Sequence, residues 1–354
     1  SRDLLSAYRK FQYKVCGRLE YGTMPPGELC THTPFKEESN RGDVVHPCVR
    51  YVPEGYLGHK WWMVYTPYYA ANDKTENPIL CYGDNETNNP PTHWIVAYQV
   101  QGQPTKGYNS DPALLYADKK LYAFWRENFT GRCDINGFTR ATFGAEVFED
   151  GIGEVFVVGT KDAEIDPETS PAFIKEQDGT YRCLATHITF HSKTIKRLPA
   201  FLRKIINPVI FISDLMGFWS QQKAHGIAQW SCDKVNGKFY LEGTVKFEDK
   251  NVLYRPWHID FFECEGKLFA IVQSNQCNAD ICLAESKDRV HFRFFKRPLM
   301  TNETCGKVGI YKPTAGVVDG RFFLYYTAQD VDNRTLNKLY LITMDFNELL
   351  KKLQ

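Results

Sequence analysis

Five stretches of the chain repeat one grammar, and that repetition restricts the fold more than any composition figure. Each opens on polar residues beside a proline or tryptophan, runs on as an apolar strand, turns tightly, and returns as an aromatic-rich strand. The openings are His46-Pro47, Ser110-Asp111-Pro112, Ser170-Pro171, Trp257-His258-Ile259-Asp260 and Tyr311-Lys312-Pro313. The returns are Lys60–Thr66, Leu121–Trp125, Thr180–Ala185, Lys267–Val272 and Arg321–Tyr326. Asp178-Gly179, Glu265-Gly266 and Asp319-Gly320 supply the positive φ that tight hairpins require, so each unit reads as two antiparallel strands. Further apolar stretches follow, as at Ile79–Tyr82, Val155–Val158, Asp280–Ala284 and Lys338–Ile342. Units of three to four strands recur at spacings of about 54 to 88 residues, which is the period of propeller blades.

The expected fold is therefore all-β, a five-bladed β-propeller in one domain spanning 1–354. The blades fall at approximately 40–105, 106–165, 166–250, 251–305 and 306–345. The longest spacing holds the Lys/Arg-plus-aliphatic run 194–219, read as a short helical insertion between blades 3 and 4. Asp345–Leu353 is read as a capping helix. Twenty Tyr, 24 Phe and 7 Trp suit strands and the platforms on which sugars stack. A formal charge of +1 argues against a nucleic-acid grip or an anionic membrane surface. No run of 18 apolar residues occurs, and Ser1–Lys10 carries no signal-peptide core. The eleven cysteines show no disulfide framework and read mainly as reduced, buried small hydrophobes.

In a propeller the innermost strands all start at one end of the central channel, so the opening residues share a funnel. Those residues are His46, Asp111, Ser170, His258, Asp260, Tyr311 and Lys312, with Trp257 beside them. Convergent polar groups among rings suit sugars, whose hydroxyls take hydrogen bonds and whose C–H faces take rings. Trp61, Trp62, Trp94, Trp125 and Trp257 are the candidate platforms, with core packing as the alternative for each. His258 and Asp260 lie two apart on one strand, so both point the same way. They either fasten the channel mouth, contact a ligand or transfer a proton. No cofactor is required. A channel-bound metal ion on His46, His258 and Asp260 is the alternative, unsupported by any His-x₃-His or Cys-x₂-Cys spacing.

These motifs resemble two groups of five-bladed propellers. One is the arabinanase, xylosidase and invertase-like glycoside hydrolases, whose blades open on acidic residues beside proline. The other comprises propellers of phage tail receptor-binding proteins and related bacterial proteins, similar in the five openings and in Trp62-Met63, Thr66-Pro67-Tyr68 and Glu76-Asn77-Pro78. The hydrolase resemblance implies a base before the first proline, where His46 stands, and an orienting Asp in the second blade, matched by Asp111. It implies an acid before the third proline, where Thr169-Ser170 stand and Glu168 lies one residue further back.

The leading expectation is glycan recognition at the funnel by His46, Asp111, Ser170, Trp257, His258, Asp260, Tyr311 and Lys312. The partner is then a glycan or polysaccharide, with no nucleic acid, no membrane insertion and a homo-oligomer as an option. A virion tail or a cell-associated or secreted bacterial protein is the corresponding setting. One alternative is an active glycoside hydrolase using Asp111 with Glu168 or Asp260. Another is a structural virion or scaffold protein that binds nothing.

Overall fold

The computed structural model describes residues 24–33, 43–69, 72–105, 107–129, 139–159, 169–188, 225–248, 256–274, 280–301, 308–330 and 336–354, with positions 199, 202 and 332. The insertion expected at 194–219 lies outside the described residues apart from positions 199 and 202, and so does Glu168.

Five antiparallel-based sheets form the five blades of a propeller. The innermost strands are Val45–Tyr56, Tyr108–Ala117, Thr169–Lys175, Pro256–Cys264 and Val308–Val318. Each pairs with its successor across a tight turn, and a third strand follows outward. The ring closes through the N-terminal side. Glu28–Leu29 adds the outermost strand to blade 5, and Thr31–His32 then runs parallel to the outer strand of blade 1. Lys246–Glu248 likewise leaves blade 3 to lie parallel with His291–Phe294 of blade 4.

Both faces of each sheet are buried against neighbouring blades, which is why the strands read as near-continuous apolar runs. Phe124 and Phe173 stack between blades 2 and 3, Trp125 lies on the opposite face of the blade-2 sheet, and Ile259, Leu184 and Phe292 fill the space between blades 3 and 4. Trp61, Trp94 and Tyr325 join blade 1 to blade 5. Trp61, Trp62, Trp94 and Trp125 are thus core residues, and of the five tryptophans considered as sugar platforms only Trp257 lines the funnel. Cys30, Cys48, Cys81 and Cys183 are buried free thiols, matching their expected role as small hydrophobes.

The C-terminal helix Phe346–Leu353 forms where expected. Asp345 caps it by accepting from Glu348 N at 2.9 Å, and its Phe346, Leu349 and Leu353 stripe is buried. Phe346 packs against Phe262, Phe269 and Phe322 of blades 4 and 5. Burying three such side chains stabilises the helix by roughly 1.5–3 kcal/mol each, which a helix this short needs.

One backbone device recurs at the channel mouth. His46, Asp111, Ser170 and Lys312 have φ of 52°, 46°, 53° and 35°, and each precedes proline. The strand register shifts at each of these openings. A bulge of this kind re-aims one side chain out of the alternating pattern, here towards the axis. Left-handed φ is unfavourable for a non-glycine residue, so the surrounding sheet must hold it. Blade 4 departs from the rule. It shifts register between Pro256 and His258, with no proline after His258 and no left-handed residue there.

Candidate functional site

The bulged openings converge on a cavity of about 470 Å³. Its walls include His46 and Glu76 from blade 1, Asp111 and Arg126 from blade 2, Trp257 and His258 from blade 4, and Tyr311 from blade 5. Tyr68, Asp73, Tyr108, Gln329 and Asn337 complete the wall towards blade 5 and the mouth.

At the floor, His46 Nε2 lies 3.5 Å from Asp111 Oδ1, and His258 Nδ1 lies 3.8 Å from the same oxygen. The two imidazole centroids are 5.1 Å apart. Arg126 Nη2 holds the other oxygen of Asp111 at 2.6 Å and also donates to Ser110 Oγ. Burial pushes the Asp111 carboxyl up, but Arg126 foremost, then His46, His258 and Lys312, pull it well below the usual carboxylate range. Asp111 is therefore a fixed anion.

Each histidine is oriented from behind. His46 Nδ1 is 3.0 Å from Thr66 Oγ1 and 3.3 Å from Glu76 Oε2. His258 Nδ1 is 2.9 Å from Ser170 Oγ. Burial holds His258 well below its ordinary pKa despite the opposing pull of Asp111, so its ring is neutral. Glu76 behaves oppositely to Asp111, since burial raises its carboxyl and His46 only partly offsets this. Trp257 Nε1 donates to the Tyr311 hydroxyl at 3.2 Å, and burial pushes the Tyr311 phenol far up, so it stays protonated.

The donor set suits a divalent metal ion. One ligand atom from each of His46, Asp111 and His258 can be chosen so that all lie within 4.8 Å of one another, and all three residues are buried. Two His and one carboxylate form a hydrolytic-metal donor set. Asp111 Oδ1 and His258 Nε2 are also buried without a hydrogen-bond partner. An orphaned buried acceptor is costly, and a cation beside Asp111 Oδ1, which has His46 Nε2 and His258 Nδ1 as neighbours, would satisfy it.

The remaining expected site residues have other partners. Asp260 is gripped by Arg50 through both oxygens, at 2.9 and 2.7 Å, and accepts from Thr314 Oγ1 at 2.5 Å and Phe261 N at 2.9 Å. It seals the axis below the cavity, and the side chains whose ligand atoms lie close enough to share a cation are His46, Asp111 and His258, not the set His46, His258 and Asp260 expected from sequence. Lys312 does not reach the cavity either; its Nζ donates to Ser170 Oγ and to Ile259 O. Ser170 is fully buried behind His258. Both corrections have one cause. Lys312 sits at a bulge and Asp260 in regular register two residues past His258, but for each the depth along the channel depends on the neighbouring blades. Glu76, Arg126 and Tyr108 were not singled out as site residues by the sequence reading. Glu76 stood in view as part of Glu76-Asn77-Pro78, on a loop outside the repeat.

No protein-family profile matches the chain, and no curated protein matches it. Solved structures do. An N-acetylgalactosamine deacetylase from F. plautii, in complex with blood group B trisaccharide, is similar at 15% identity and a TM-score of 0.66. That likeness covers 93% of this chain and 97% of the other. An α-L-arabinanase mutant from Cellvibrio cellulosa is similar at 11% identity and a TM-score of 0.54, over 84% of this chain and 90% of the other. A B. megaterium levansucrase mutant is similar at 12% identity and a TM-score of 0.57, over 86% and 83%.

The chain has the fold of the five-bladed arabinanase, xylosidase and invertase-like glycoside hydrolases. None of these likenesses bears on the phage-tail resemblance. Among the described residues no helix is long and apolar enough to cross a membrane.

Proposed function

We propose that the protein is a carbohydrate-active hydrolase that removes an N-acyl group from an amino sugar, with a divalent metal ion held by His46, Asp111 and His258. The observation carrying this reading is the buried Asp111 Oδ1, which has no hydrogen-bond partner and has His46 Nε2 at 3.5 Å and His258 Nδ1 at 3.8 Å. The likeness to an N-acetylgalactosamine deacetylase over nearly the whole of both chains supports it. A divalent ion there would supply Lewis-acid polarisation of a carbonyl.

The chain's own groups have separable tasks. Arg126 keeps Asp111 ionised and fixes its second oxygen. Glu76 is a buried carboxyl whose raised proton affinity lets it accept a proton from water and return it to the leaving nitrogen. The Tyr311 hydroxyl uses a lone pair on Trp257 Nε1 and keeps its own proton to donate to the acyl oxygen. The half-exposed Trp257 ring offers a face for the sugar. The cavity volume lies within the range of small-ligand sites.

A second reading has its own observation. Glu76 and Asp111 are carboxyls of one cavity whose proton affinities are driven apart, which is the split a glycosidase needs between acid and base. The arabinanase and levansucrase likenesses favour it. Both readings take a glycan as the occupant of the funnel, in agreement with the glycan partner expected from sequence.

The test is to measure Zn²⁺ and Mn²⁺ uptake by calorimetry and acetate release from oligosaccharides ending in N-acetylgalactosamine or N-acetylglucosamine. Stoichiometric uptake with chelator-sensitive acetate release is expected. Cleavage of aryl glycosides that persists in chelator would favour the second reading. Absence of metal uptake and acetate release would overturn the first.

A further inference from the structure

Gln329 and Asn337 line the cavity from blade 5, and the chemistry above uses neither. Behind them Asp43 is buried at the entry to blade 1. Asp43 Oδ1 accepts from Asn337 N at 2.9 Å and from Asn337 Nδ2 at 3.1 Å. Asn337 Oδ1 accepts in turn from Gln329 Nε2 at 3.2 Å. A hydrogen-bonded row thus runs from a buried carboxyl to the cavity wall. Joining blade 1 to blade 5 does not require it, because Val44 N already donates to Asn337 O at 3.0 Å. Burying polar side chains is costly, and apolar ones would fill the same space without that cost.

The row has one direction. Asp43 Oδ1 holds a main-chain N–H, which fixes it as an acceptor; a proton on this carboxyl would sit on Oδ2 and change nothing. Asn337 must therefore show Nδ2 to Asp43, which leaves its Oδ1 for Gln329. Gln329 must answer with Nε2, and its own Oε1 is left over. Reversing either amide would set acceptor against acceptor. Among the described residues Gln329 Oε1 has no hydrogen-bond partner, and the half-buried Gln329 side chain lines the cavity. The flank of this oxygen is open as well. Gly309, at φ 61°, lines the same wall, and a Cβ there would lie 3.6 Å from Oε1.

We propose that Gln329 Oε1 accepts a hydrogen bond from the sugar bound in the funnel, and that Asp43 and Asn337 are positioning residues which turn that oxygen, rather than the amide nitrogen, towards it. The donor is a hydroxyl or the N–H of an N-acyl group, the two kinds an N-acylated amino sugar carries. A ligand bringing only an acceptor to this point is disfavoured, because two sets of lone pairs then face each other. This rests on the reading that a glycan occupies the funnel, and it does not depend on the metal ion.

The experiment is calorimetric titration of the full chain, in chelator and with Zn²⁺ added. The probes are the methyl glycoside of N-acetylgalactosamine, its monodeoxy analogues (one for each hydroxyl), and the analogue with an acetate ester in place of the acetamide. One analogue should bind about 5- to 10-fold more weakly than the parent, the size of one neutral hydrogen bond. A deoxy sugar with that deficit identifies a hydroxyl as the donor, and the ester identifies the amide N–H. Gln329→Met, close in shape but lacking the acceptor, should bind parent and analogue alike. Asp43→Leu lets both amides turn and should lose the discrimination too. Asp43→Asn keeps an oxygen for the Asn337 main-chain N–H and should retain it. Asn337→Leu breaks the row at its middle and serves if Asp43→Leu does not fold.

Equal binding of all probes by the wild type, or discrimination that survives in Gln329→Met, would overturn this inference and leave glycan binding intact. Discrimination that survives in Asp43→Leu would overturn the positioning role. No heat with any probe in either condition overturns the glycan reading and this inference together.

Discussion

His46 Nε2 and Asp111 Oδ1 meet at 3.5 Å although they come from different blades, each delivered by a left-handed residue before a proline. The contact depends on two bulges being held at once. Loosening either blade opening moves a donor out of the cavity, so the site and the channel mouth are one construction.

That relationship makes Asp111→Asn the most informative change at the floor. The amide keeps the volume but removes the charge that His46, His258 and Arg126 surround. Zn²⁺ affinity should fall by more than about 100-fold, beyond the 10–100-fold typical of residues that merely support a ligand. Isothermal titration reads this directly. Unaltered affinity would remove Asp111 from the proposed metal site.

Asp260 and Asp73 are both carboxylates of the channel region and should behave oppositely. Asp260→Ala leaves Arg50 buried and unpaired, which costs about 3–5 kcal/mol. Asp73→Ala, at the exposed mouth, should change stability by no more than about 0.5 kcal/mol. Urea denaturation of both variants decides it, and comparable losses would contradict the assignment of Asp260 to the axis.

Asp43 gives a pH signature. Burial raises its carboxyl from the ordinary 3.8 to about 6, against hydrogen bonds from Asn337 N and Nδ2 that pull it down. Between about pH 4 and 6 the folded chain therefore holds this proton more tightly than the unfolded chain. The group's contribution is most favourable to folding at about pH 4 and below, and is lost as pH rises through 6. The stability advantage of wild type over Asp43→Ala should shrink as pH is raised from 4.5 to 7. A difference that stays constant across denaturation curves at pH 4.5, 5.5 and 7 would count against it.

The second hairpin turn offers a gain rather than a loss. Asp118 and Lys119 both carry left-handed φ, 53° and 60°, whereas the equivalent turns use Glu265-Gly266 and Asp319-Gly320. Lys119→Gly relieves a strain of roughly 1–2 kcal/mol against the larger unfolded-state entropy of glycine, roughly 0.5–1 kcal/mol. A net stabilisation of about 0.5–1 kcal/mol should appear as a raised urea midpoint, and a lowered midpoint would show that the lysine side chain matters there.

The repeat was legible in the sequence because hairpin turns, β-branched and aromatic runs and the residue-plus-proline openings are local features. The C-terminal helix was legible too, from the Asp345 cap and its apolar spacing. So was the gathering of His46, Asp111, His258, Trp257 and Tyr311 at one cavity, since blade symmetry carries equivalent positions to one rim. Depth within the channel was not. Asp260 pairs with Arg50, and Lys312 turns to Ser170 and Ile259, through contacts between blades that no single repeat encodes. Glu76 and Arg126 lay outside the repeating positions and reach the site only because loop and strand fold over the opening. The amino-acid order thus determined which fold forms and which residues meet at its axis. Packing between blades decided which of them face the cavity and which hold the axis shut, because that choice turns on distances of a few ångströms between strands far apart in the chain.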